Sequence, residues 1–109
     1  MWGVCLDWDL QNKDLFQVVV QYEIDSSNGN AVIYLPVTGI QCDADKIREL
    51  SQAPEYVYGE EVSPRKHPDM RGTVVLIRWH FNRQKHYYTI RVAGRIKSKR
   101  YFGEELFKI

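Results

Sequence analysis

The chain has 109 residues, 44% hydrophobic and 13% aromatic, with 15 basic and 14 acidic side chains for a net charge of +1. This is enough apolar material for an independent core, and it excludes a disordered chain, a disulfide-rich mini-protein and a membrane-spanning helix, because every apolar run falls far short of ~20 residues. The near-neutral total hides an asymmetry: residues 1–55 hold three basic and nine acidic residues, net −6, whereas residues 56–109 hold twelve basic and five acidic, net +7.

Trp2, Val4, Leu6 and Trp8 recur at period two and predict a first strand; Phe16, Val18, Val20, Tyr22 and Ile24 predict a second. Asn28-Gly29 tolerates positive φ and predicts a hairpin into a strand over residues 31–35, which Pro36 ends. Asp43 is placed to cap a short helix starting at Ala44, with Ile47 and Leu50 as its apolar stripe and Pro54 beyond its end.

The second half reads as short strands. Residues 61–63 form one, closed by Pro64, and a loop over 65–71 follows. In residues 73–82, Val75, Ile77, Trp79 and Phe81 should point one way and Arg78, His80 and Asn82 the other. Tyr88, Ile90 and Val92 alternate with Tyr87, Thr89 and Arg91, and Ala93-Gly94 makes a two-residue turn. In residues 95–102, Ile96 and Phe102 are expected inward and Arg95, Lys97, Lys99 and Tyr101 outward; Glu104-Glu105-Leu106 is expected to form one helical turn. No internal repeat or linker is visible. The expectation is a single, mainly β domain (α+β with one short helix): an acidic strand, hairpin and helix part over 1–55, and a basic part over 56–109.

Residues 56–109 resemble an SH3-like, five-stranded small barrel of the KOW and Tudor type. The resemblance rests on Tyr58-Gly59-Glu60-Glu61-Val62 as opening strand, Gly72-Thr73-Val74 opening the second, two successive hairpins, and Glu104-Glu105-Leu106 before the closing strand. The chain as a whole is similar to small uncharacterised bacterial proteins that share an ending like Lys97-Ser98-Lys99-Arg100-Tyr101-Phe102. The KOW-like resemblance implies nucleic acid or a partner protein as ligand. A Tudor aromatic cage is not recognisable, so methyl-lysine binding is not implied.

Residues 65–100 carry eleven Lys and Arg against one acid, Asp69. On outward strand positions, Arg78, Arg91, Arg95, Lys97 and Lys99 would neutralise phosphates while His80, Tyr87 and Tyr101 stack on unpaired bases, as single-stranded nucleic acid or structured RNA requires. The competing account is a solvated outer sheet face with no ligand. The acidic half, with Asp7, Asp9, Asp14, Glu23, Asp25, Asp43 and Asp45, offers the alternative of a protein-protein interaction or adapter role, the chain being a monomer or a weak homo-oligomer. Cys5 and Cys42 lack metal or redox spacing and are expected free and buried; with no leader visible, the expected location is cytoplasmic, with no membrane partner. His67, His80 and His86 have no companion ligands, adjacent carboxylates such as Glu60-Glu61 would diverge in a strand, and no nucleophile or phosphate loop motif occurs. Neither an enzyme, a cofactor nor a metal is therefore expected.

Overall fold

The computed structural model describes residues 1–9 and 14–109. The chain is mainly β and forms two compact units, Met1–Ala53 and Pro54–Ile109, each built on its own antiparallel sheet. The charge reversal falls on this division: the first unit has three basic and eight acidic residues, net −5, and the second has twelve basic and six acidic, net +6.

In the first unit, β1 (Trp2–Cys5) pairs with β2 (Val19–Ile24) on one side and β5 (Ile47–Glu49) on the other; β3 (Ala31–Leu35) and β4 (Ile40–Cys42) complete the order β4-β3-β2-β1-β5. Val18, Val19 and Val20 are all fully buried, so this segment has apolar neighbours on both faces and not the single face its alternation predicts. The expected hairpin forms: Gly29 has φ 74°, and the Asp25 N–H donates to the Asn30 carbonyl at 2.8 Å. β1 ends at Cys5, and Trp8 is 65% exposed, stacked on Phe16 with ring centroids 4.0 Å apart.

The short helix reduces to a 3₁₀ turn at Ala44–Lys46, followed at once by β5. Asp43 makes no side-chain capping bond, and β-branched Ile47 is extended at φ −115° and ψ 123°. The free side of β1 offers residues 47–49 ladder partners that a helix of one narrow stripe could not match. Gly3 makes this closure possible, since a Cβ there would lie 2.6 Å from Ile47 Cγ2 and 2.9 Å from the Arg48 carbonyl.

The second unit contains β6 (Glu61–Pro64), β7 (Gly72–His80), β8 (Lys85–Val92), β9 (Arg95–Ile96), β10 (Tyr101–Phe102) and β11 (Leu106–Lys108), in the order β10-β8-β7-β6-β11 with β9 also on β8. A 3₁₀ turn, Gly103–Glu105, stands where one helical turn was expected. Val62, Val74, Ile77, Tyr88, Ile90 and Leu106 form the core. A bulge between Val74 and Leu76 adds a residue to β7, so Val74 and Ile77 are both inward and Val75 loses the inward place its spacing predicts. Phe81, past the strand, is 40% exposed.

The two units share more than strand order. Adding 59 to each residue number carries β1 onto β6, the Ala44–Lys46 turn onto Gly103–Glu105, and β5 onto β11. The register follows: Gly3↔Glu49, Val4↔Arg48 and Cys5↔Ile47 become Val62↔Lys108, Ser63↔Phe107 and Pro64↔Leu106. The flanking hydrogen bonds do too, Leu6 N–H to Lys46 carbonyl becoming Arg65 N–H to Glu105 carbonyl, both 2.8 Å, and Leu50 N–H to Trp2 carbonyl becoming Ile109 N–H to Glu61 carbonyl. The repeat escapes the sequence because only inward positions must stay apolar, and at those positions size varies: Ile47 corresponds to Leu106, Cys42 to Tyr101.

Candidate functional site

The strongly paired β7 and β8 hairpin presents the basic unit's outer face. Trp79 and His86 are opposite one another and inward, with ring centroids 5.0 Å apart, so Arg78, His80, Lys85 and Tyr87 must point outward. Arg78 stands directly across from Tyr87, and His80 from Lys85. β10 then adds one ring, because Phe102 pairs with Tyr87 and lies on the same face.

Three half-buried rings meet there: His80 lies 5.8 Å from Tyr87 and 5.6 Å from Phe102, and Tyr87 lies 6.3 Å from Phe102. Cations sit over them. Arg83 and Lys85 are 5.3 and 5.7 Å from the Phe102 centroid, and Arg100 is 5.5 Å from that of Tyr87, within the range of cation–π attraction. His80 is held by its loop, its Nδ1 accepting from the Arg83 N–H at 3.1 Å, which leaves Nε2 as the proton-bearing nitrogen of the neutral ring. Lys85 also meets Glu104 at 3.1 Å, an exposed pair. Arg78 Nε is buried and has no hydrogen-bond partner among the described residues.

Of the residues expected to form a binding face, Arg78, His80 and Tyr87 come together. Arg91 shares their face but lies four residues further along β8, about 13 Å at ~3.3 Å per residue. Arg95 pairs with Val92 and belongs to the opposite side of the strand at the turn. Lys97 is half-buried, its N–H donating to the Ile90 carbonyl at 2.9 Å. Lys99 is over the Tyr101 ring at 4.9 Å and 3.6 Å from Glu105.

Tyr101 corrects the sequence reading most sharply: it is 4% exposed, opposite the buried Tyr88, and cannot stack on a ligand from the outer face. Phe102 takes that place, and Ile96, expected inward, is 67% exposed. The signal for Ile96 was the two-residue turn. Ala93 and Gly94 have φ of 51° and 77°, which pairs Val92 with Arg95 and Arg91 with Ile96, so Ile96 must follow Arg91 outward whatever its hydropathy. Arg83 and Arg100 lie beyond strand ends, where no periodicity could assign them a face, and Lys85, expected in the loop, is instead the first residue of β8.

His80 is outward and His86 inward on adjacent strands, and among the described residues no group of three or more His, Cys, Asp or Glu side chains could hold an ion. Both cysteines are free and buried; burial pushes the Cys42 thiol up to about 11 and that of Cys5 above its usual value. No helix among the described residues is long and apolar enough to cross a membrane.

No curated protein and no solved structure matches the chain. The model of a family of unknown function, DUF6960, matches residues 24–107, a span that crosses the boundary between the two units. By that match the chain belongs to the DUF6960 family.

Proposed function

We propose that the second unit binds single-stranded nucleic acid on the His80, Tyr87 and Phe102 rings. The observation that carries this reading is the coincidence of three touching rings with three overlying cations on one outer sheet face. Flat rings accept any base by stacking, while Arg83, Lys85 and Arg100 supply donors for the phosphates between bases. The order β10-β8-β7-β6-β11, with a 3₁₀ turn before the last strand, supports the resemblance to an SH3-like barrel, for which nucleic acid is one implied ligand.

Fluorescence anisotropy with labelled oligo(dT) and oligo(U) across a salt series tests it. Association should weaken with salt, with a slope of roughly −0.7 per phosphate neutralised. Tyr87→Ala and Phe102→Ala should each cost about 1–3 kcal/mol of binding with the fold retained, as judged by circular dichroism. Absence of association at low ionic strength, or unaltered affinity in both variants, overturns the proposal.

A further inference from the structure

A second feature of the basic unit is a cleft of ≈ 180 Å³ between the loop after β6 and the segment that leads into β11. One wall is Arg65, Lys66 and His67; Lys99, Glu104 and Glu105 stand across from them, and Tyr101 lines the interior. Tyr101 is 4% exposed, and its hydroxyl is not among the buried polar atoms that lack a partner, so what little of the side chain reaches solvent includes the phenol oxygen, at the cleft the residue lines. An accessible phenol O–H there can donate to a ligand oxygen.

The charge balance favours an anion despite two carboxylates. Arg65, Lys66 and Lys99 against Glu104 and Glu105 give +1, and Lys85, from outside the cleft, lies 3.1 Å from Glu104 and offsets it, leaving +2. Glu105 is further occupied by the Phe102 N–H at 2.9 Å and by Lys99 at 3.6 Å. The cationic wall is also held in shape. Ser63 Oγ donates to the Met70 carbonyl at 2.6 Å, the His67 N–H to the Pro64 carbonyl at 3.1 Å, and Arg65 Nε to the Glu104 carbonyl at 3.0 Å. A loop backbone and an Arg65 guanidinium fixed before the ligand arrives lose little entropy on binding it.

We infer that this cleft is a site for a phosphate monoester dianion, with Lys66, the free edge of the Arg65 guanidinium, Lys99 and the Tyr101 hydroxyl as its donors. A volume this far below the ~300 Å³ of a full ligand pocket suits a phosphoryl group with part of one sugar and no more. That chemistry has two sources, a small free phosphate ester or the phosphorylated end of a nucleic acid strand. The assignment goes beyond the ring platform and does not depend on it: Tyr101 and Phe102 are consecutive, one serving each feature from opposite faces of β10.

The test is an amide-shift titration of the full chain with inorganic phosphate, followed by affinity measurements with 5′-phosphorylated and 5′-hydroxyl oligo(dT). Saturable shifts at residues 65–67, 99 and 101, weakened about tenfold in Lys66→Ala and in Tyr101→Phe, are expected for loss of one charge-assisted hydrogen bond. Tyr101→Phe keeps the buried ring, and Lys66 is exposed, so neither substitution challenges folding. If the 5′-phosphate also tightens oligonucleotide binding, and both variants erase the gain, the strand end is the ligand; if phosphate binds the cleft while the two oligonucleotides behave alike, it is the small ester. Tyr87→Ala should leave the phosphate titration untouched, which separates this site's failure from that of the platform. Absence of saturable shifts with phosphate, or shifts unaltered in both cleft variants, overturns the assignment.

Discussion

Tyr58 completes the hydrogen bonding of Ile77. The Ile77 N–H donates to the Tyr58 hydroxyl and that hydroxyl donates to the Ile77 carbonyl, each at 3.3 Å, so one phenol stands in for a neighbouring strand along β7 beyond its pairing with β6. Ile77 is fully buried, and its backbone groups have no water to turn to. Tyr58→Phe should therefore destabilise the chain by about 1–3 kcal/mol, the penalty for orphaned buried polar groups, although it removes a single oxygen. Urea unfolding measures this; an unchanged midpoint would show that the edge closes without the hydroxyl.

Gly3→Ala should be costlier than one methyl group implies. Its Cβ would meet Ile47 Cγ2, the Arg48 carbonyl and Tyr22 Cε1, all within 2.6–2.9 Å, and one of these is backbone. Separation of β1 from β5 is the available relief, and overpacking of this kind costs roughly 1–3 kcal/mol. Loss of amide protection over residues 47–49 by hydrogen exchange would locate the damage; full protection there would contradict the account.

The Ala93-Gly94 turn has room for improvement. Both residues have positive φ, and only Gly94 is suited to it. Nothing lies within 4 Å of a Cβ at Gly94, so Gly94→Ala isolates backbone strain and should cost about 1–2 kcal/mol. Ala93→Asn places a residue that tolerates the left-handed region and should raise stability by a few tenths to ~1 kcal/mol. Opposite shifts of the urea midpoint are expected.

Alkaline pH should destabilise the protein. Burial raises the phenols of Tyr88, up to about 12, and of Tyr56 and Tyr58, and the Cys42 thiol up to about 11. Each group holds its proton more tightly folded than unfolded, so its contribution is intact below the unfolded pKa, near 9 for the thiol and 10 for the phenols, and is lost as pH rises through the folded value. Urea midpoints should stay flat to about pH 9 and then decline toward pH 12, with Tyr88→Phe flattening the decline. The same burial predicts slow alkylation of Cys5 and Cys42 at neutral pH until unfolding.

How much of this was legible depended on how many neighbours each strand has. β8 is paired along both sides with one face on the core, so Tyr88 and Ile90 inward and Tyr87 and Arg91 outward could be read from alternation alone. β7 could be read at Ile77 and Trp79 but not at Val75, since a bulge shifts phase without leaving a residue signature. Ile47 and Leu50 read as a helical stripe because an apolar i, i+3 pair shares a face only at the helical period, and the edge of β1 overrides that local signal by pairing with residues 47–49. On the outer face, His80 and Tyr87 followed from period two; Phe102 required the turn's pairing and the irregular residues 97–100 to be known first.

The common register of Gly3↔Glu49 and Val62↔Lys108 gives this molecule an internal blank. Where the second copy carries Phe102, the first, 59 positions earlier, carries Asp43, on the same closing geometry in a unit whose net charge has the opposite sign. An Asp43→Phe graft therefore asks of the scaffold what only a designed control would ordinarily ask: whether a ring at that corner suffices, or whether the surrounding cations must come with it.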